Sequence, residues 1–141
     1  MLEVKRVDNE IELEKVFELR YQVFVKEQGV PLSIERDKYD QSAEHVMALS
    51  GDKVVGCGRI VFNKDYGKIG RVAVDSEYRR QGVGRMICQE LIQIARDQGS
   101  KKVILHAQFD SRDFYKKLGF KMVGDIFIEA DIKHIKMEYV L

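Results

Sequence analysis

The feature that most constrains the fold is a change of hydrophobic periodicity after Val74. Before it, apolar residues alternate with polar ones or form short runs, as they do in β-strands. Beyond it they recur at helical spacing up to Gly99, which predicts a helix with one apolar face. That face consists of Val83, Ile87, Leu91, Ile94 and Ala95. The apolar run 103–105 then indicates a buried strand. The order strand, helix, strand predicts an α/β fold.

The rest of the chain predicts further elements around this unit. Asn9, followed by Glu12, resembles a capping box and starts a helix that is predicted to run to about Gln28. The polar segment 32–44 is predicted mainly as a loop. The other predicted elements are strands 3–8, 44–50, 53–62 and 69–74, a short helix 110–118, and strands 120–124 and 127–141. Strands 44–50, 53–62 and 69–74 are expected to form an antiparallel meander. A chain of 141 residues without repeat or linker is expected to form one domain, 1–141.

Composition and charge limit the kinds of function that the chain is expected to have. The formal net charge is +1, so no overall field favours nucleic acid or an anionic membrane, and no apolar run is long enough to span a bilayer. The N-terminal residues lack a signal-peptide pattern, and a cytoplasmic protein is the default expectation. Cys57 and Cys88 lie in apolar segments and are predicted as buried thiols rather than as a disulfide. The histidines are far apart in sequence and no Cys-x-x-Cys pair occurs, so no metal site is predicted.

A turn rich in arginine and glycine, Arg79-Arg80-Gln81-Gly82-Val83-Gly84, connects the strand Val72-Ala73-Val74 to the long helix. Glycines at a helix start let the backbone approach a ligand closely and leave the first N–H groups free. Those groups and the helix dipole favour a phosphate, and Arg79, Arg80 and Arg85 add charged donors. The turn therefore predicts an anion site, with a solvated helix start as the alternative.

Three phosphate-binding patterns are compatible with an anion site of this kind. A Walker loop requires a Gly-Lys-Ser/Thr ending, and a dinucleotide fingerprint requires a third glycine near Ile87; neither is present. The third pattern is the pyrophosphate site of coenzyme A. Arg79-x-x-Gly82-x-Gly84 resembles the pyrophosphate-binding signature of the GNAT superfamily of N-acetyltransferases. Residues 114–120, Phe-Tyr-Lys-Lys-Leu-Gly-Phe, resemble its second signature. A weaker similarity, Glu35-x-Asp37-x-Tyr39-Asp40 with His45, indicates the ElaA/YjcF-like branch.

The resemblance implies a mixed, mostly antiparallel sheet that is flanked by helices and splayed between the strands ending at Val74 and Ala107. Acetyl-CoA would lie in that opening, with its pantetheine along residues 72–74. A main-chain N–H near Val74 would polarise the thioester carbonyl. The implied cofactor-binding residues are Val72, Ala73, Val74, Arg79, Arg80, Gln81, Gly82, Val83, Gly84, Arg85, Gln108 and Phe114. The family often has asparagine where this chain has Gln108 and alanine where it has Ser111.

The resemblance also implies direct attack by a primary amine on the thioester in a ternary complex. Tyr115 matches the usual general acid of the family, the alternative being a core aromatic pair with Phe114. His45 is predicted as the base because histidine titrates in the useful range. The other candidates are Glu35, Asp37, His106, His134 or a chain of waters. No motif identifies the small-molecule or peptide amine that accepts the acyl group, and a homodimer is an expectation from the self-pairing of related domains. The alternative functions are a non-catalytic acyl-CoA-binding sensor or scaffold and a nucleotide-dependent enzyme.

Overall fold

The strand patterns assemble into one seven-stranded sheet in the computed structural model, which describes all residues from Met1 to Leu141. The strands are β1 (Leu2–Arg6), β2 (Glu44–Ser50), β3 (Lys53–Phe62), β4 (Tyr66–Val74), β5 (Lys102–Gln108), β6 (Lys121–Glu129) and β7 (Ile132–Val140). The helices are α1 (Glu10–Arg20), α2 (Leu32–Glu35), α3 (Val83–Asp97) and α4 (Arg112–Leu118). None of these helices combines the length and the apolar character that crossing a membrane requires.

The sheet has the order β1-β2-β3-β4-β5-β7-β6, and only β4 and β5 pair in parallel. The predicted mixed, mostly antiparallel sheet is therefore confirmed. Alternate residues of β2 point to opposite faces, and the two faces carry separate cores. Val46 belongs to the core that α3 covers with Ile87 and Leu91, whereas Met47 belongs to the core under α1 with Val16. Helices thus flank both faces of the sheet.

The first helix departs from its prediction in its second half. Asn9 caps α1 by accepting a hydrogen bond from the main-chain N–H of Glu12. The helical conformation continues to Gln28 as predicted, but its second half, Tyr21–Glu27, is π-helical and not α-helical. The wider π turn changes the direction in which the later side chains point. As a result, Phe24 and Gln28 line the cleft described below.

The segment predicted mainly as a loop is more ordered than its polar composition indicates. It contains α2 and one 3₁₀ turn, Lys38–Asp40. Glu35 and Asp40 within it are only 2% and 7% exposed. Carboxylates are rarely buried unless they are paired, and arginines from α1, β3 and β4 pair with these, as described below.

The parallel pairing of β4 and β5 covers only the beginning of each strand. It stops at the pair Ile69 and Leu105, and the two strands separate beyond that point. In the separated part of β4, Arg71 and Val72 lie opposite the single residue Gly58, and Arg71 adopts φ +55°. This is a β-bulge, which bends the strand. The predicted splay between the two central strands is therefore confirmed, and it leaves one main-chain edge of β4 unpaired.

Candidate active site

The turn that leads into α3 leaves main-chain donors free. Gly82 caps the helix at φ +84°, a left-handed conformation that glycine adopts without strain. Its carbonyl oxygen accepts the first hydrogen bond of α3, so the N–H groups of Val83, Gly84 and Arg85 have no acceptor within the helix. The side chains of Arg80 and Arg85 are exposed beside them. The turn therefore has the geometry of an anion-binding helix start.

The two sequence signatures meet in space at the end of β4. A β-carbon at Gly84 would lie only 3.2 Å from Phe114 Cζ and 3.7 Å from a methyl group of Val74. Glycine at this position allows Phe114 in α4 to approach closely, because a β-carbon would push the ring away by a few tenths of an ångström. The Phe114 ring contacts the Tyr115 ring edge to face, with centroids 5.0 Å apart. The residues predicted to hold the donor and to supply a proton are therefore neighbours.

Tyr115 lines a cleft of about 760 Å³, together with Val72 from the separated part of β4 and Gln108 from the end of β5. Burial raises the pKa of the Tyr115 hydroxyl above its ordinary value of 10.0. The phenol consequently keeps its proton at neutral pH. A tyrosine in this state can donate a proton but cannot act as a base.

The side chain of Arg79, which is predicted to bind an anion, makes hydrogen bonds to other residues of the protein. Its Nη1 and Nη2 donate to the two carboxylate oxygens of Glu27 at 2.6 and 2.8 Å, and its Nε donates to the carbonyl oxygen of Val74 at 3.1 Å. Arg79 thus ties the end of the π-helical segment to the end of β4. Arg80 and Arg85 are the arginines of the turn that remain available to a ligand.

Gln108, also predicted to contact the cofactor, bonds to another side chain of the cleft. Its Nε2 donates to Gln28 Oε1 at 2.7 Å. Both amides line the cleft and both are partly or fully exposed. A ligand that binds here competes with an amide–amide hydrogen bond and with solvent, rather than with a buried contact.

A network of three arginines and three carboxylates lies beside the cleft. Its members are Arg20, Arg59, Arg71, Glu35, Asp37 and Asp40. The Arg20 guanidinium, with 0% of its surface exposed, donates to Glu35 Oε2 and to Asp40 Oδ1, both at 2.7 Å. Arg59 donates to both oxygens of Asp37 at 2.6 and 2.9 Å. The charges balance, and the network holds the α2 segment against β3 and β4.

Asp40 shows the electrostatic effect of this network. Burial alone would raise the pKa of Asp40, but the hydrogen bonds and charges of Arg20 and Arg59 outweigh it and hold the pKa at about 2, below the ordinary 3.8. The ionised carboxylate therefore stabilises the fold above the pH at which it titrates in the unfolded chain. That stabilisation is lost as the pH falls towards 2.

His45 belongs to the structural framework and not to the cleft, so its surroundings do not support the predicted role as base. The residue is buried, and its Nε2 lies 2.9 Å from the carbonyl oxygen of Asp40. Burial lowers the pKa of His45 below 6.5, so the ring is neutral at pH 7. The side chain does not line the cleft.

A different pair of histidines lines the cleft, with a carboxylate between them. Glu129, where β6 turns into β7, places Oε1 3.2 Å from His106 Nδ1 and Oε2 3.8 Å from His134 Nε2. All three residues line the cleft. His134 Nδ1 also donates to the carbonyl oxygen of Ile132 at 2.7 Å. The Nε2 of His106 makes no hydrogen bond to the protein and is free for a ligand.

The sequence reasoning missed four charged cleft residues, which are Arg59, Lys68, Arg71 and Glu129. Glu129 is 23 positions from His106 and meets it only through the sheet. Lys68 lies on β4 and lines the cleft, but a single lysine directly before the predicted strand 69–74 carries no local signal of a site. Sequence alternation along β4 could have placed it on the same face as Tyr66, but not beside a ligand.

Comparisons with known proteins give the family and the fold. Residues 7–141 match the family model described as an acetyltransferase (GNAT) domain. The chain is 39% identical over 130 residues to the uncharacterized N-acetyltransferase YjcF of Bacillus subtilis, covering 92% of this chain and 93% of YjcF. Escherichia coli ElaA superimposes with a TM-score of 0.88 at 28% identity, covering 98% of this chain and 99% of ElaA. A GNAT family acetyltransferase from Elizabethkingia anophelis with acetyl-CoA bound shares the fold, with a TM-score of 0.74 at 18% identity and coverage of 99% and 98%.

Proposed function

The chain belongs to the GNAT family of acetyltransferases, and we propose that it transfers the acetyl group of acetyl-CoA directly to a primary amine held in the cleft, with Tyr115 as general acid. The observation that carries this proposal is the contact between Gly84 and Phe114. It sets the glycine turn beside Val74, in the separated part of β4, and beside α4, the helix that carries Tyr115. This proximity supports a thioester donor that is bound along β4.

The residues at the opening fit a donor of this kind. The unpaired edge of β4 beyond Ile69 offers main-chain hydrogen bonds to the amides of a pantetheine arm. The free N–H groups of Val83, Gly84 and Arg85, with the exposed Arg80, offer donors to a pyrophosphate. Acetyl-CoA, when bound, supplies a thioester that is open to attack by an amine. Tyr115 then holds the proton that the departing thiolate takes up.

His106 is the proposed base. An alkylamine with a pKa of about 10 arrives protonated at neutral pH and must lose a proton before it can attack. When the His106 ring is neutral, its Nδ1–H donates to Glu129 and its free Nε2 can accept that proton. Glu129 fixes the ring and stabilises the positive charge that forms. Holding the amine and acetyl-CoA next to each other in the cleft further accelerates acetyl transfer.

Changing Gly82 to alanine is expected to weaken acetyl-CoA binding by about tenfold. A side chain in the left-handed conformation costs roughly 1–2 kcal/mol, and relaxing that strain turns the free N–H groups away from the pyrophosphate. Isothermal titration with acetyl-CoA measures the change, and ATP serves as the unrelated phosphate ligand.

Gly99→Ala is the matched control for this prediction. Gly99 follows the other end of α3 and has φ +78°, close to the φ +84° of Gly82, and a β-carbon added at either glycine would meet no atom within 4 Å. Both variants should lose similar stability, but only Gly82→Ala should lose affinity. Equal affinity of the two variants, or tighter binding of ATP than of acetyl-CoA by the unaltered protein, contradicts the phosphate assignment.

Changing His106 to glutamine is expected to lower kcat/KM for an alkylamine by roughly 10²- to 10³-fold at pH 7. The loss should shrink as the pH rises towards the amine pKa of about 10, because the acceptor is then already deprotonated. His134→Gln, which alters the other histidine at Glu129, should leave this pH dependence unchanged. A deficit of the same size at every pH would show that His106 positions the acceptor and does not deprotonate it.

A further inference from the structure

One charged side chain of the cleft lacks a partner of opposite charge. Six charged residues line the cleft, and these are Glu35, Asp37, Arg59, Lys68, Arg71 and Glu129. Five of them lie within 4.0 Å of an oppositely charged group or, for Glu129, of a histidine. Lys68 has no such contact. The carboxylates of the arginine network bond to arginines and Glu129 contacts the histidines, so Lys68 is the cation of the cleft that makes no ion pair.

The carboxylates nearest to Lys68 are already bonded to other residues. Asp37 and Glu129 are the negative charges that act on it, but Asp37 accepts hydrogen bonds from Arg59 and Arg71, and Glu129 contacts His106. Lys68 is half-buried, and burial lowers the pKa of its ammonium group below 10.5. A partly desolvated cation without a counter-ion is unfavourable, and a ligand anion would relieve this.

The position of Lys68 along β4 sets the distance between such an anion and the reacting centre. Lys68 pairs with Ile104 in the closed part of the β4–β5 pair, whereas Val72 lies in the separated part, next to the proposed thioester site. Four residues of strand separate their α-carbons by about 13 Å, before the bulge shortens the path. An acceptor that reaches both places carries its anionic group several bonds from its nitrogen.

We propose that Lys68 forms an anion subsite, and that the acceptor is a small primary amine bearing a carboxylate or phosphate several bonds from the nitrogen. This rests on the proposed function, since it takes the amine to react beside Val72. The lining between charged groups includes apolar side chains such as Val61, Phe62 and Ile132, which suit a connecting carbon chain. An ammonium group binds either anion as a point charge, so the experiment separates the two.

Binding of unreactive anions tests the subsite independently of catalysis. The probes are 6-hydroxyhexanoate and hexyl phosphate, with the uncharged 1,6-hexanediol as reference, each titrated by calorimetry into protein saturated with CoA. We expect at least one anionic probe to bind about 10- to 100-fold more tightly than the diol. The probe that binds more tightly shows whether the acceptor bears a carboxylate or a phosphate. Lys68→Met should abolish the preference, whereas Lys68→Arg should retain it.

Lys64→Met is the control, because Lys64 is exposed and lies outside the cleft; it should bind the probes as the unaltered protein does. Equal affinity for the anionic probes and the diol overturns the subsite, as does a preference that survives in Lys68→Met.

Acetylation of 6-aminohexanoate and of hexylamine is measured separately. If amines are acetylated but no preference for an anionic ligand depends on Lys68, the subsite is contradicted and the proposed function stands. If anions bind in a Lys68-dependent way but no amine is acetylated, the proposed function is contradicted and the subsite stands.

Discussion

Replacing Tyr115 by phenylalanine is expected to lower kcat by about 10²- to 10⁴-fold, with little change in the affinity for acetyl-CoA. The phenyl ring keeps the edge-to-face contacts with Phe114 and Phe120, so α4 should keep its place against the glycine turn. What is lost is a proton donor that burial keeps protonated. Without it, the thiolate must leave unprotonated or wait for water. Steady-state thiol release and calorimetry measure the two quantities.

Tyr139→Phe is the matched control for this change. The Tyr139 hydroxyl accepts a hydrogen bond from Arg96 at 3.0 Å and does not line the cleft. Its loss should leave kcat within about twofold, since surface changes of this kind have small effects. If Tyr115→Phe turns over as fast as Tyr139→Phe, Tyr115 is a core aromatic residue and another group supplies the proton.

Changing Arg20 to methionine is expected to lower the free energy of unfolding by roughly 3–5 kcal/mol. Methionine fills much of the same volume but leaves Glu35 and Asp40 buried without the guanidinium that both contact at 2.7 Å. The penalty arises because one partner is removed, whereas replacing a whole buried ion network by apolar residues is often neutral. Urea unfolding followed by circular dichroism gives the free energy.

Arg96→Met separates this effect from the loss of any arginine. Arg96 is exposed and donates only to the Tyr139 hydroxyl, so its replacement should change the stability by less than about 1 kcal/mol. Arg20→Met should also lose affinity for acceptors, because Glu35 and Asp37 of the same segment line the cleft. Equal urea midpoints for the two variants would show that the network contributes nothing to the fold.

The donor side of the site could be predicted from sequence because its determinants are local. Gly82, Gly84 and the apolar face of α3 lie within one helix and its first turn, where spacing reports conformation directly. Cys57 and Cys88 are buried and unpaired, as their apolar surroundings predict. The family resemblance added what spacing alone does not give, namely the opening between β4 and β5.

The acceptor side could not be predicted, because its contacts join distant parts of the chain. Glu35 and Asp40 look like residues of a solvated loop until Arg20, 15 and 20 positions away, is folded against them. His45 bonds to the same network and does not line the cleft. His106 on β5 and Glu129 at the end of β6 belong to strands that are separated by β7, and strand alternation does not report the order of strands in a sheet.

One assay tests acetyl transfer from acetyl-CoA to an amine in this cleft. The protein is incubated with acetyl-CoA and a panel of primary amines with and without anionic groups, while free thiol is followed and products are identified by mass spectrometry. We expect at least one amine to give equal amounts of thiol and N-acetylated product. We also expect the rate of thiol release to fall at least a hundredfold in Tyr115→Phe. Tight binding of acetyl-CoA with no acetylated amine from the panel would contradict acetyl transfer in this cleft and would indicate a protein that binds the thioester without transferring its acyl group.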